Sequence, residues 1–187
     1  MTENRRKPIM KIIRYMTLTA LVFISACGNN KFADDILKMQ SRPIDMSVCE
    51  ESSCYEAGVE TGYNVRDSAY KLVIYIDSLS CSPCFISHMY EYEEIAKEFD
   101  SVGIKTVFIF EPQQEKEEDV RSSLRQQAYP FLGIVVRDGG FASANSHLPS
   151  SSLLHSFLLD ERNGVIVVGN PVRNERIKEL MLNSVKR

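Results

Sequence analysis

The residues best able to do chemistry are two cysteines in the run Cys81-Ser82-Pro83-Cys84. Two intervening residues let the second sulfur curl back within disulfide reach of the first. The thiolate is the reactive form of cysteine. A helix N-terminus favours it, through unpaired N–H groups and a partial positive charge. Cys81 at the mouth of such a helix is therefore the candidate nucleophile. Cys84, one turn in and less exposed, is the candidate that resolves a mixed disulfide. The bland alternative is a structural disulfide that never turns over. A dithiol fixed at a strand–helix junction is an unusual way to build a mere staple.

Five cysteines are present, and Cys49 and Cys54 form a second pair. The leading expectation is a local structural disulfide between them. The alternatives are an auxiliary pair exchanging with Cys81 and Cys84, or a zinc site made by all four. Of the three histidines, His88 falls one turn past Cys84 on the same expected helix face, where it could sense or ligate near the dithiol. For His147 the sequence supports no role. The acidic run Glu115 to Asp119 reads as a solvated helix start, where acids suit the helix dipole.

The elements that must position the dithiol are legible around it. Lys71 to Ile76 is an unbroken apolar run and predicts a buried strand. Asp77 to Ser80 is a short polar turn. Phe85, Ile86, Met89, Tyr92, Ala96 and Phe99 then recur at three- and four-residue steps and predict one helix. Pro83 suits its first turn, where the missing N–H costs nothing. Ile104 to Phe110 predicts a second buried strand, Glu117 to Ala128 a charged surface helix with Val120 and Leu124 inward, and Phe131 to Val136 another strand. Phe141 to Ser152 reads as a loop with a helical turn. Leu153 to Leu159 and Val165 to Val168 predict an antiparallel hairpin about Asn163-Gly164. Asn174 is a candidate N-cap for a last helix with Ile177, Leu180 and Met181 facing in. Upstream, Asp34 to Gln40 predicts a short amphipathic helix, and Ile44 to Val65 one or two edge strands or a hairpin. Strands alternating with helices argue for parallel neighbours, and the final hairpin adds antiparallel ones.

The chain has 187 residues, 44% hydrophobic and 25% charged, with net charge −3. That is enough for one well-cored domain and leaves no basic footprint for nucleic acid. The N-terminus reads differently. Arg5, Arg6, Lys7, Lys11 and Arg14 precede an uncharged apolar run, Tyr15 to Ala26, too short to span a bilayer comfortably. Small residues at Ser25-Ala26 before Cys27 resemble the lipobox of bacterial lipoproteins, with residues 1–26 as signal peptide and Cys27 lipidated. A plain secretory signal and an uncleaved anchor are the alternatives. Met10 is a possible true start. The expected organisation is then a tether and short helix over 27–43 and one domain over 44–187. An exported chain would meet oxidising surroundings, where disulfides persist.

The strand, turn, Cys81-Ser82-Pro83-Cys84 and helix, with the later Phe157-Leu158-Leu159-Asp160 and Asn163-Gly164, resemble the thioredoxin superfamily, and within it the TlpA-like lipoprotein and redoxin branch. The resemblance covers Tyr70 to Leu182. It implies an α/β three-layer sandwich with a mixed sheet, and this chain's order β-α-β, α-β, β-β-α adds one extra α-β unit before the hairpin. It also implies thiol–disulfide exchange with protein thiols or disulfides in the cell envelope, no organic cofactor, and contact with the bilayer through lipidated Cys27. Three departures stand out. The family's cis-proline aligns with Leu154 or His155. Ser80 replaces the usual aromatic before the first cysteine. Tyr75 falls near the place of the family's buried carboxylate, with Asp77 the nearest acid. Asp77 reads as a cap of the turn, or as a proton handler from the same strand face. His155 would lie opposite the dithiol. Cys81, Cys84 and His155 loosely resemble the ligand set of Sco-type copper chaperones, so a metal-holding or structural dithiol is the competing reading. No family-type Thr-x-x-Cys peroxidatic site is present.

Overall fold

The computed structural model describes residues 30–62 and 70–185. The basic region, the apolar run and Cys27 lie outside the described residues. The described residues from Asp35 onward form one compact unit.

The core is built on β3 (Tyr70–Ile76), whose residues after Tyr70 are all buried. A strand with no polar alternation must be covered on both faces, and this one is. It pairs in parallel with β4 (Ile104–Phe110) and antiparallel with β6 (Ser156–Leu159). The other strands are β1 (Ser53–Glu56), β2 (Val59–Thr61), β5 (Leu132–Val135) and β7 (Val165–Val168). They complete a seven-stranded mixed sheet in the order β2-β1-β5-β4-β3-β6-β7.

Side-chain alternation along the strands divides the core into two layers. Leu72, Ile74, Ile76, Phe108 and Phe110 face one set of helical segments, through Ile86, Met89, Tyr92, Phe99, Val120, Leu124 and Met181. Val73, Tyr75, Val107 and Ile109 face the other way, onto Met39, Cys49 and Phe141. The second layer uses α1 (Asn30–Gln40), α2 (Ser47–Glu50) and α6 (Gly140–Ala144). Met39 is fully buried, so the second half of α1 belongs to the core.

The helix expected from Phe85 to Phe99 is interrupted. It forms α3 (Ser82–Ile86), a 3-10 turn at Met89–Tyr92, and α4 (Glu93–Asp100). The Ser87 hydroxyl donates to the Cys84 carbonyl, and the His88 N–H donates to Phe85 rather than four residues back. Such local bonds compete with helix continuation. The apolar stripe survives the break, because Ile86, Met89, Tyr92 and Phe99 all remain buried. The charged helix appears as α5 (Glu117–Gln127), with Glu117 to Asp119 in its first turn. Glu115 lies in a preceding 3-10 turn.

Two further boundaries move. Leu153 and Leu154 belong to a 3-10 turn ahead of β6, and Leu153 is exposed. In α7 (Glu175–Val185), Met181 is fully buried and Ile177 half-buried, while Leu180 lies off this stripe and is 52% exposed. Asn174 caps α7 as expected, its side-chain oxygen accepting the Arg176 and Ile177 N–H groups. The hairpin expected between Ile44 and Val65 is β1–β2, turning through Ala57 and Gly58, both at positive φ.

Candidate active site

The dithiol site sits at the carboxyl end of β3. The turn leaving that strand is tied by Asp77, whose Oδ1 accepts the Leu79 N–H at 3.2 Å and the Ser80 hydroxyl at 2.7 Å. Cys81 follows as the N-cap of α3, and its carbonyl accepts the Phe85 N–H at 2.9 Å. Pro83 occupies the first turn. Cys81 and Cys84 form a disulfide with Cα atoms 5.3 Å apart. Both residues are exposed, so Cys84 is less sheltered than its expected resolving role suggested. α3 has only five residues, so a long-helix dipole is not what would favour a Cys81 thiolate. Any such preference rests on the local backbone N–H groups.

Both sulfurs border a cleft of about 450 Å³. Phe85, Tyr92 and Val172 supply its apolar surface, and His88, Glu91 and Arg173 its polar rim. Asn170 fixes one wall by donating to the Tyr92 hydroxyl at 2.9 Å. His88 lines the same cleft as the dithiol, from beyond the end of α3, with its Nδ1 3.6 Å from Glu91 Oε1.

His155 is 4% exposed and directly precedes β6. All peptide bonds among the described residues are trans. Its carbonyl accepts the Tyr75 N–H, which brings it beside the end of β3. Its Nε2 lies 2.9 Å from the Pro149 carbonyl. A carbonyl can only accept, so Nε2 carries the hydrogen. Nδ1 then faces Asp77 Oδ2 at 3.7 Å, and the ring packs on Tyr75 with centroids 4.8 Å apart. The structure thus sets Asp77 beside His155 without a hydrogen bond between them, and it makes Asp77 the cap of the turn.

Sequence reasoning missed Glu111, the residue that directly follows β4. Glu111 is 2% exposed. Its Oε2 accepts the Tyr75 hydroxyl, and its Oε1 accepts the N–H groups of Phe141 at 2.6 Å and Ala142 at 3.2 Å. Burial, and then the bond to Glu111, push the Tyr75 hydroxyl above the usual tyrosine range. Where the family resemblance implied a buried carboxylate on β3, this chain has a tyrosine bonded to one at the end of β4.

Cys49 and Cys54 are not a disulfide. Both are free thiols, and both are buried in the core. Cys49 lies in α2 and Cys54 in β1, and the Cys54 Sγ donates to the Ser52 carbonyl. Burial raises both thiols, Cys54 to about 11. They are therefore poorly placed to exchange with the exposed pair. The four cysteines do not form a zinc site, and Cys81, Cys84 and His155 form no metal-binding cluster among the described residues. His147 is 4% exposed, and burial followed by the charge of Arg42 holds it below the usual imidazole range. No helix among the described residues is long and apolar enough to cross a membrane.

No protein-family profile matches the chain, and no curated protein matches it. Solved structures do. A thioredoxin-like protein in its oxidised form aligns with a TM-score of 0.55 at 14% identity, over 79% of this chain and 98% of that one. Peroxiredoxin Q from Xanthomonas campestris aligns with a TM-score of 0.51 at 13% identity, over 79% of this chain and 97% of that one. At such identities the likeness is one of fold. The chain is an α/β protein of thioredoxin-like fold, with its exposed Cys81–Cys84 disulfide at the carboxyl end of a central strand.

Proposed function

We propose that this protein is a thiol–disulfide oxidoreductase acting through Cys81 and Cys84. The observation that carries the proposal is an exposed disulfide at a strand–helix junction, bordered by an open cleft. A buried staple would offer a partner sulfur no approach. In the reducing direction the Cys81 thiolate attacks a sulfur of the partner disulfide. That S–S bond breaks, the leaving sulfur departs with the electron pair and takes up a proton, and a mixed disulfide remains. Cys84, after losing its proton, attacks the Cys81 sulfur, forms the internal disulfide and releases the second partner thiol. Two electrons and two protons pass to the partner, and oxidation runs the same steps backwards.

In this reading the chain is held at a bacterial cell envelope by lipidated Cys27. Its partners are protein thiols or disulfides there. The support is the order of basic region, apolar run and Ser25-Ala26-Cys27 in the sequence. Metabolic labelling with a fatty acid tests this part: label lost in Cys27→Ala supports it, and an unlabelled wild type removes it. The exchange activity is tested by trapping. Cys84→Ala should accumulate a mixed disulfide with a disulfide-bearing peptide, and Cys81→Ala should accumulate far less. Equal trapping by both variants, or none, would contradict the assigned roles.

A further inference from the structure

On the reading above, the cleft beside the dithiol has a specificity of its own. Its long wall is apolar, from Phe85, Tyr92 and Val172. The two charged features on its rim differ. Glu91 already faces a ring nitrogen of His88. Arg173 is exposed, and among the described residues no carboxylate pairs with it. Arg173 is thus a cation without a paired carboxylate in the cleft that Cys81 and Cys84 line, while the Glu91 carboxylate on the same rim faces a histidine that is charged only when protonated. Beyond the cleft, Leu79 projects from the turn before Cys81 and is 88% exposed. An exposed apolar side chain thus stands in the turn that leads into the dithiol, in addition to the apolar wall of the cleft.

We propose that this cleft binds an extended polypeptide segment of the redox partner, with an acidic residue close to the partner cysteine seated against Arg173 and an apolar residue against Phe85, Tyr92 and Val172. Charge complementarity selects the occupant. Exposed ion pairs contribute modestly, and their reach falls with salt.

The test uses the full chain and two disulfide-bearing peptides, identical except for Asp or Lys two residues from the cysteine. Exchange rates are measured at low salt, each divided by the same variant's rate with dithiothreitol. The Asp peptide should exchange roughly threefold to fivefold faster, the factor that up to ~1 kcal/mol of exposed pairing gives. The preference should shrink in high salt. Arg173→Glu should abolish or invert it. Arg162→Glu makes the same change in net charge in the turn between β6 and β7, near the amino end of β3 and away from the dithiol. It should keep the preference. Equal rates for the two peptides overturn the inference while leaving exchange itself intact. So does an Arg162→Glu effect as large as that of Arg173→Glu, or a faster reaction with glutathione disulfide than with the Asp peptide. Reduction by dithiothreitol without exchange with any peptide removes the oxidoreductase reading, and this inference with it.

Discussion

Removing the Tyr75 hydroxyl should destabilise the fold by about 1.5–3 kcal/mol, the range for a buried hydrogen bond to a charged group. The bond joins two central strands. Tyr75 lies one residue from the end of β3, and Glu111 directly follows β4. Tyr75→Phe keeps the ring contacts with Phe141 and His155 and removes only the donor. Glu111 would retain two backbone N–H donors, so its oxygen Oε2 alone loses its partner. With a urea slope of about 2 kcal/mol per molar, the unfolding midpoint should fall by roughly 1 M. Glu111→Gln keeps the size but not the charge, and should cost a similar amount. The two costs should not add. In the double variant the second substitution removes a bond already broken, so the coupling should be about 1 kcal/mol or more. Chemical unfolding of the four proteins at neutral pH measures it. Costs that sum within about 0.5 kcal/mol would refute the claim that this pair acts as a unit.

The buried thiols give a pH window. Cys54 is raised from 9.0 to about 11, and Cys49 is raised too. Below pH 9 both states hold the proton and the full stability is present. From pH 9 to about 11 the unfolded chain releases these protons while the fold keeps them, so each thiol lowers stability by about 1–3 kcal/mol, and Cys54→Ala should remove its share of that fall and leave the share of Cys49. Alkylation of the reduced native protein at pH 8 should label Cys81 and Cys84 and spare Cys49 and Cys54, whereas equal labelling of all four would contradict their burial. His147 acts at the other end. Its imidazole is held below 6.5, so as pH drops through 6.5 the unfolded chain binds a proton that the fold resists, and stability declines. His147→Gln should lessen the decline between pH 7 and 5.5, and identical slopes would show that His147 is not its source.

Much of this arrangement could be read from local pattern. The apolar run of β3 and the cysteine spacing are contiguous, and they place the dithiol at a strand–helix junction without tertiary information. The hairpin at Asn163-Gly164 and the Asn174 cap are equally local. What escaped the sequence is non-local or masked by a stronger pattern. The apolar stripe from Phe85 to Phe99 continues through Ser87 and His88, where the backbone breaks, because burial follows the stripe and the break follows side-chain and i→i−3 bonds. Glu111 resembles any acid at a strand end until the register of β3 and β4 places it beside Tyr75. Asp77 and His155 meet only because β6 runs antiparallel against β3. Cys49 and Cys54 are close in sequence, which suggested a bridge, yet each is set in its own buried element.

The central claim rests on the redox couple of Cys81 and Cys84. Equilibrating the full chain with thiol buffers of known potential, and reading the cysteine states by alkylation and mass spectrometry, measures it directly. The account predicts a reversible two-electron couple between about −120 and −270 mV, the span of proteins that exchange disulfides catalytically, with Cys81 the first sulfur alkylated in the reduced form. A pair that stays oxidised below about −300 mV, or a reduced Cys81 that reacts no faster than Cys84, would instead make this exposed disulfide a fixed structural bond.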